Sequence, residues 1–149
     1  MAQKINRILY AGIFISDKEL DKIRTFIPED FTKKENYRQI NYPHMTIFRF
    51  NNIPIEDMRY VLNNNEQPHM ITIDGISKAD NIIALRVSEC KNSSNIITPS
   101  TSKTKHITLA LAQDAKEIDS NKITEWESID PVTFSCYLRI IYKNPKHNK

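Results

Sequence analysis

Pro43-His44-Met45-Thr46-Ile47-Phe48-Arg49-Phe50 is a β-branched and aromatic run with partial alternation, and it predicts a strand. Further along, His106-Ile107-Thr108-Leu109-Ala110-Leu111 repeats its opening, and the two histidines stand 106 − 44 = 62 positions apart. Each run begins His-apolar-Thr-apolar. On a strand, residues two apart share a face, so His44 pairs with Thr46 and His106 with Thr108. Two related lobes facing one another would bring the pairs together.

Working outward, Ile8-Leu9-Tyr10-Ala11-Gly12-Ile13-Phe14-Ile15 predicts a buried first strand; it is too short for a leader and is followed by Asp17 and Lys18. Ser16 and Glu19 have the spacing of a capping box, and Leu20, Ile23, Phe26 and Ile27 recur at helical spacing up to Pro28. Lys33 to Asn41 is polar. Pro54 suits the first position of a second helix, with Ile55, Met58, Val61 and Leu62 on one face. Met70 to Ser77 and Ile82 to Ser88 predict a hairpin turning through Lys78-Ala79-Asp80-Asn81, and Val132 to Tyr142 predicts a last strand. Residues 91–104, rich in Ser, Thr, Asn and Lys around Pro99, predict a surface loop able to close over a ligand. Strands in runs with few helices predict an α+β domain with antiparallel sheet over residues 1–142, followed by a basic, flexible tail at 143–149.

The chain has 149 residues, 40% of them hydrophobic, which suits one ordinary core. Taking Lys143, Lys146 and Lys149 away from the formal charge of +3 leaves a body with no net charge. A long nucleic acid is therefore not the expected partner, since binding one calls for a clustered basic face. A small anion held by a few local groups fits better. Cys90 and Cys136, the only cysteines, stand far apart in sequence and outside any metal-type spacing, so both read as reduced, which favours the cytoplasm. No run approaches the roughly 20 apolar residues of a membrane span.

The two motifs together would offer two imidazoles and two hydroxyls, with no carboxylate among them. Cleaving a phosphodiester means deprotonating one oxygen, protonating another and stabilising charge on the rest. Imidazoles with an ordinary pKa near 6.5 can divide the proton transfers, and threonine hydroxyls can bond the phosphoryl oxygens, without a metal or other cofactor. A single His-x-Thr is weak, but two on predicted strands among four histidines is a chance event on the order of one in a few hundred. His69, in Pro68-His69-Met70-Ile71-Thr72, has its threonine three residues on and reads as a strand-entry residue; His147 lies in the tail. No third His, Cys or acid stands at zinc-ligand spacing.

At these residues the chain resembles the two-histidine phosphoesterase superfamily, and the likeness runs nearly its whole length. The resemblance implies a bilobal, pseudo-symmetric α+β fold of antiparallel sheets with flanking helices, and catalysis in a central cleft by His44, Thr46, His106 and Thr108. Leu9-Tyr10-Ala11-Gly12-Ile13-Phe14, His106-Ile107-Thr108-Leu109 and Ser120-Asn121-Lys122-Ile123 look like phage anti-CBASS nucleases and poxviral cGAMP phosphodiesterases. That likeness implies hydrolysis of a cyclic dinucleotide second messenger in the cytosol of an infected cell, as viral counter-defence. Those relatives often have glycines after the second motif, where this chain has Gln113-Asp114-Ala115. Other members of the superfamily cut 2′,5′-oligoadenylate or RNA 2′,3′-cyclic ends, and a nucleotide-binding module that does not cleave is the reading from another class. Tyr10, Tyr42 and Trp126 are candidates to stack on a base, and Lys103 and Lys105 to attract phosphate. Which histidine is acid, whether water attacks directly or a cyclic phosphate forms first, and the oligomeric state are not encoded in the motifs.

Overall fold

The computed structural model describes residues 7–49 and 53–143. The described residues form seven strands: β1 (Ile8–Ile15), β2 (Arg38–Gln39), β3 (His44–Arg49), β4 (Pro68–Ser77), β5 (Ile82–Asn92), β6 (His106–Leu111) and β7 (Trp126–Tyr142). They follow the order β2-β6-β3-β1-β7-β4-β5, and a further β5–β6 pairing closes the sheet into a ring. Every pairing is antiparallel. The class is the expected α+β, but the halves join in one closed barrel and do not stand as two separate sheets. Closure leaves few free edges to pair with another chain.

β6 makes the closure possible by dividing one edge between two partners. Its end pairs with β2 through Leu111↔Arg38 and Ala110↔Gln39, and its start meets β3 at Ile107↔Met45. The polar stretch 33–41 thus supplies a short strand that its composition conceals. Alternate strand residues and the helices fill a single large apolar cluster, with Phe48, Phe134, Met45, Ile107 and Leu85 fully buried in it.

The helices are shorter than their periodicity predicts. A 3-10 turn at Asp17–Glu19 leads into α1 (Leu20–Arg24), and α2 (Glu29–Thr32) follows separately. The Ser16–Glu19 capping box does not form: Ser16 makes no side-chain cap, and the Glu19 carboxylate accepts from the Ser135 N–H at 2.5 Å. A tertiary bond to β7 takes the place of the local one. Pro54 is the N-cap of α3 (Ile55–Asn64), one residue earlier than expected, and Met58 and Val61 are its buried face.

The hairpin joins β4 to β5 as predicted, but β4 begins at Pro68, β5 runs on to Asn92 and β7 starts back at Trp126. Lys143 belongs to the folded body, since its N–H donates to the Arg7 carbonyl at 2.7 Å. The expectations for Phe50, Lys146, His147 and Lys149 lie outside the described residues. No described helix is long and apolar enough to cross a membrane.

Phe134 is fully buried at the centre of the barrel. Phe134→Ala should lower unfolding stability by about 3–5 kcal/mol, read as a lower urea midpoint; a change under about 1 kcal/mol would mean that the core does not close around this ring.

Candidate active site

The Met45↔Ile107 pair turns both apolar side chains into the core. The residues on either side of each therefore face outward together. His44, Thr46, His106 and Thr108 all line one open cavity of about 340 Å³.

Each motif strand carries an extra residue just after its threonine. Gly12 pairs with Thr46 and Ala11 with Phe48, leaving Ile47 as a bulge on β3; Ala84 pairs with Thr108 and Ile83 with Ala110, leaving Leu109 as a bulge on β6. A bulge reverses the alternation beyond it. Phe48 consequently enters the core, and Arg49 returns to the pocket face. The matching position on β6 is Leu111, which packs in a second apolar cluster.

His44 lies in a slot on β1. Its ring stacks on Phe14 at 4.6 Å and on Tyr10 at 5.1 Å. Gly12 is the floor between them, where a Cβ would come within 3.1 Å of the imidazole Cδ2 and 3.0 Å of the Met45 carbonyl. That close approach is why glycine occupies this position.

Both rings are oriented in the same way. His44 Nδ1 lies 3.0 Å from the Tyr42 carbonyl, and His106 Nδ1 lies 2.7 Å from the Thr104 carbonyl. A carbonyl only accepts, so each Nδ1 carries the proton when the ring is neutral, and Nε2 keeps its lone pair. Burial lowers both pKa values below the ordinary 6.5; the backbone bonds partly oppose this, and the Arg49 charge lowers both further. Glu117 raises His44 alone among the two.

The cavity departs from the sequence-based expectation in two ways. Glu117, from the 3-10 segment Glu117–Lys122, places a carboxylate where none was expected. The hydroxyls are also unequal: Thr108 Oγ1 is 2.8 Å from Ser120 Oγ and buried, whereas Thr46 Oγ1 has no partner among the described residues.

The four other predicted contacts lie outside the cavity lining. Tyr10 touches the site through the His44 ring, and burial raises its pKa. Tyr42 contributes its carbonyl while its side chain is 67% exposed. Lys105 is turned away from the cavity and donates from Nζ to the Thr98 carbonyl at 3.0 Å. Trp126 packs on the second apolar cluster beside Ile82 and Leu111. Lys103 does line the cavity, joined by Thr101 and Ser102.

Arg49, Glu117 and Asn121 went unnoticed in sequence. The one available signal for Arg49 was the paired apolar residues Ile47 and Phe48, which break the alternation. His69 is the second residue of β4, as the strand-entry reading expects, and is buried, with Nδ1 2.9 Å from the Gln67 carbonyl and Nε2 2.8 Å from the Tyr60 hydroxyl. Gln113 takes a left-handed φ of 55°, so the turn after the second motif is made without glycine, and Arg38 Nη1 donates to its carbonyl at 3.0 Å. Among the described residues no group of three His, Cys, Asp or Glu could hold a metal ion.

No family model matches the chain, and no curated protein matches it. A solved structure described as a fungal RNA kinase shares the fold, with a TM-score of 0.58 at 12% identity, over 91% of this chain and 46% of that one. The chain thus spans about half the length of that neighbour.

In the ligand-free protein at pH 7, ¹⁵N spectra should report His44 and His106 as neutral with the proton on Nδ1, and both should titrate below 6.5. A ring charged at pH 7, or protonated on Nε2, would contradict the geometry.

Proposed function

We propose that this chain is a metal-independent phosphodiesterase of the two-histidine kind, acting on a nucleotide phosphodiester. The observation that supports it most is the pair of imidazoles lining one open cavity, each with Nδ1 committed to the backbone and Nε2 left for proton transfer. One Nε2 accepts a proton from the attacking oxygen, and the other, entering as imidazolium, donates one to the leaving oxygen. The Thr46 hydroxyl supplies a donor for the non-bridging oxygens. Thr108, tied to Ser120, holds its hydroxyl in a fixed place.

Both imidazoles are neutral at pH 7 without ligand, and an anionic phosphate beside them favours the charged form. Burial lowers both imidazoles, and Glu117 opposes it at His44 alone; in this reading His44 is the acid and His106 the base. The fold shared with an RNA kinase is compatible with nucleotide phosphoryl chemistry and does not choose a substrate.

Among substrates, a cyclic dinucleotide messenger such as cGAMP, cut as viral counter-defence, is the first reading, carried by the sequence likeness around Tyr10 and His106. A 2′,5′-oligoadenylate or an RNA 2′,3′-cyclic end is the second. A cavity of about 340 Å³ is at the small end for ligand sites, so it suits one phosphate and an adjoining nucleoside, with the remainder of a larger substrate over the rim.

Incubation of the protein in EDTA with cyclic dinucleotides, 2′,5′-oligoadenylates and cyclic-ended RNA should give turnover of at least one. His44→Ala and His106→Ala should each slow it by about 10²–10⁴. No turnover of any, or full activity in either variant, would sink the reading. Removing the Glu117 charge lowers the pKa of His44, so Glu117→Gln should move the alkaline limb of the kcat/KM–pH profile to lower pH and leave the acid limb in place. Movement of the acid limb instead would reverse the assignment.

A further inference from the structure

The cavity holds more positive charge than one phosphodiester needs. Arg49 and Lys103 form no ion pair with any described residue, and Glu117 is the one carboxylate of the lining. Neither cation is part of a His-x-Thr motif. Arg49 stands three positions after Thr46, and extended strand rises about 3.3 Å per residue. Even shortened by the Ile47 bulge, this sets Arg49 well beyond the motif threonine along the cavity.

The loop before β6 is fastened beside that stretch of β3. Ser100 Oγ donates to the Thr46 carbonyl at 2.7 Å, and the Thr101 N–H donates to the Ile47 carbonyl at 2.8 Å. The Ser102 N–H donates back to Ser100 Oγ at 3.2 Å. At its near end the loop is held by Thr98, fully buried, whose N–H donates to the Cys90 carbonyl at 2.8 Å and whose hydroxyl lies 2.9 Å from the Tyr60 hydroxyl. The hydroxyls of Thr101 and Ser102 are left without partners among the described residues, and both line the cavity beside Lys103. Two cations and two free hydroxyls on an anchored loop and a bulged strand are the donor set of a second oxyanion site.

We propose that Arg49, Thr101, Ser102 and Lys103 form a subsite for a second, uncleaved phosphate, so that the preferred substrate carries at least two phosphate groups. The inference rests on the phosphodiesterase reading above, because it takes the His44–His106 end of the cavity as the place of cleavage. The second phosphate comes either from the other linkage of a cyclic dinucleotide or from a terminal phosphate on a linear one.

The test measures affinity by calorimetry in a His106→Ala background, where turnover does not consume the ligand. The ligands are linear dinucleoside monophosphates of adenine and of guanine, the same compounds with an added 5′- or 3′-phosphate, and cyclic di-AMP and cyclic di-GMP. At least one ligand with a second phosphate should bind ten-fold or more tighter than its monophosphate parent. Arg49→Gln with Lys103→Gln should bring that ratio close to one while the parent still binds; both residues are exposed, and circular dichroism checks that the fold is kept. A gain confined to the cyclic ligands identifies the internal linkage as the source, and one confined to the linear ligands identifies the terminus. Equal binding of every ligand and its parent, or a gain that survives the double variant, overturns the subsite alone. Failure of all of them to bind removes the phosphodiester reading, and the subsite with it.

Discussion

The molecule turns on the contact between Met45 and Ile107. This pair joins β3 to β6 and helps to close the barrel while directing two apolar side chains inward. Strand geometry does the rest: with the middle residue of each motif in the core, its neighbours must face out together. Burial of the two central residues and the cavity-facing direction of the four around them are thus one constraint. A slip of one residue in the register would place the imidazoles in the core and two large apolar groups in the cavity.

The two halves use the same local devices. Each motif strand bulges after its threonine, and each histidine binds the carbonyl two residues before it. They differ in their surroundings. His44 stacks between two aromatic rings over Gly12 and feels the charge of Glu117, whereas His106 is partnered across the sheet by Arg86, which is itself engaged by Asp74 at 2.8 Å. Beyond the bulge, one strand presents Arg49 and the other buries Leu111. Two strands with the same local devices in this way carry an asymmetric set of charges.

What could be read from sequence follows from the range of each interaction. β1 and β6 have the limits their composition implies, because continuous apolar runs need no partner to be recognised. The convergence of the two histidines was legible through repetition of a local pattern. Ring closure was not, since it depends on β6 meeting both β3 and β5; nor was β2, two polar residues that become a strand only by pairing with β6. The capping box failed for a related reason: Glu19 finds the Ser135 N–H, a partner far away in sequence. Glu117 and Asn121 reach the cavity from a segment with no periodicity. Lys103 and Lys105 could not be told apart, because their directions are set by how the loop is fastened to β3.

The seating of the two rings also governs how a catalytic cycle would be restored. Each imidazole has one nitrogen spent on the entry to its own strand and the other open to the cavity, so it behaves as a proton store with a single door. Protons cannot be relayed through such a ring to the far side of the protein. If the proposed function holds, whatever one histidine gains and the other loses in a turnover would have to be returned by solvent entering from the substrate's side, and product lingering there would delay the reset.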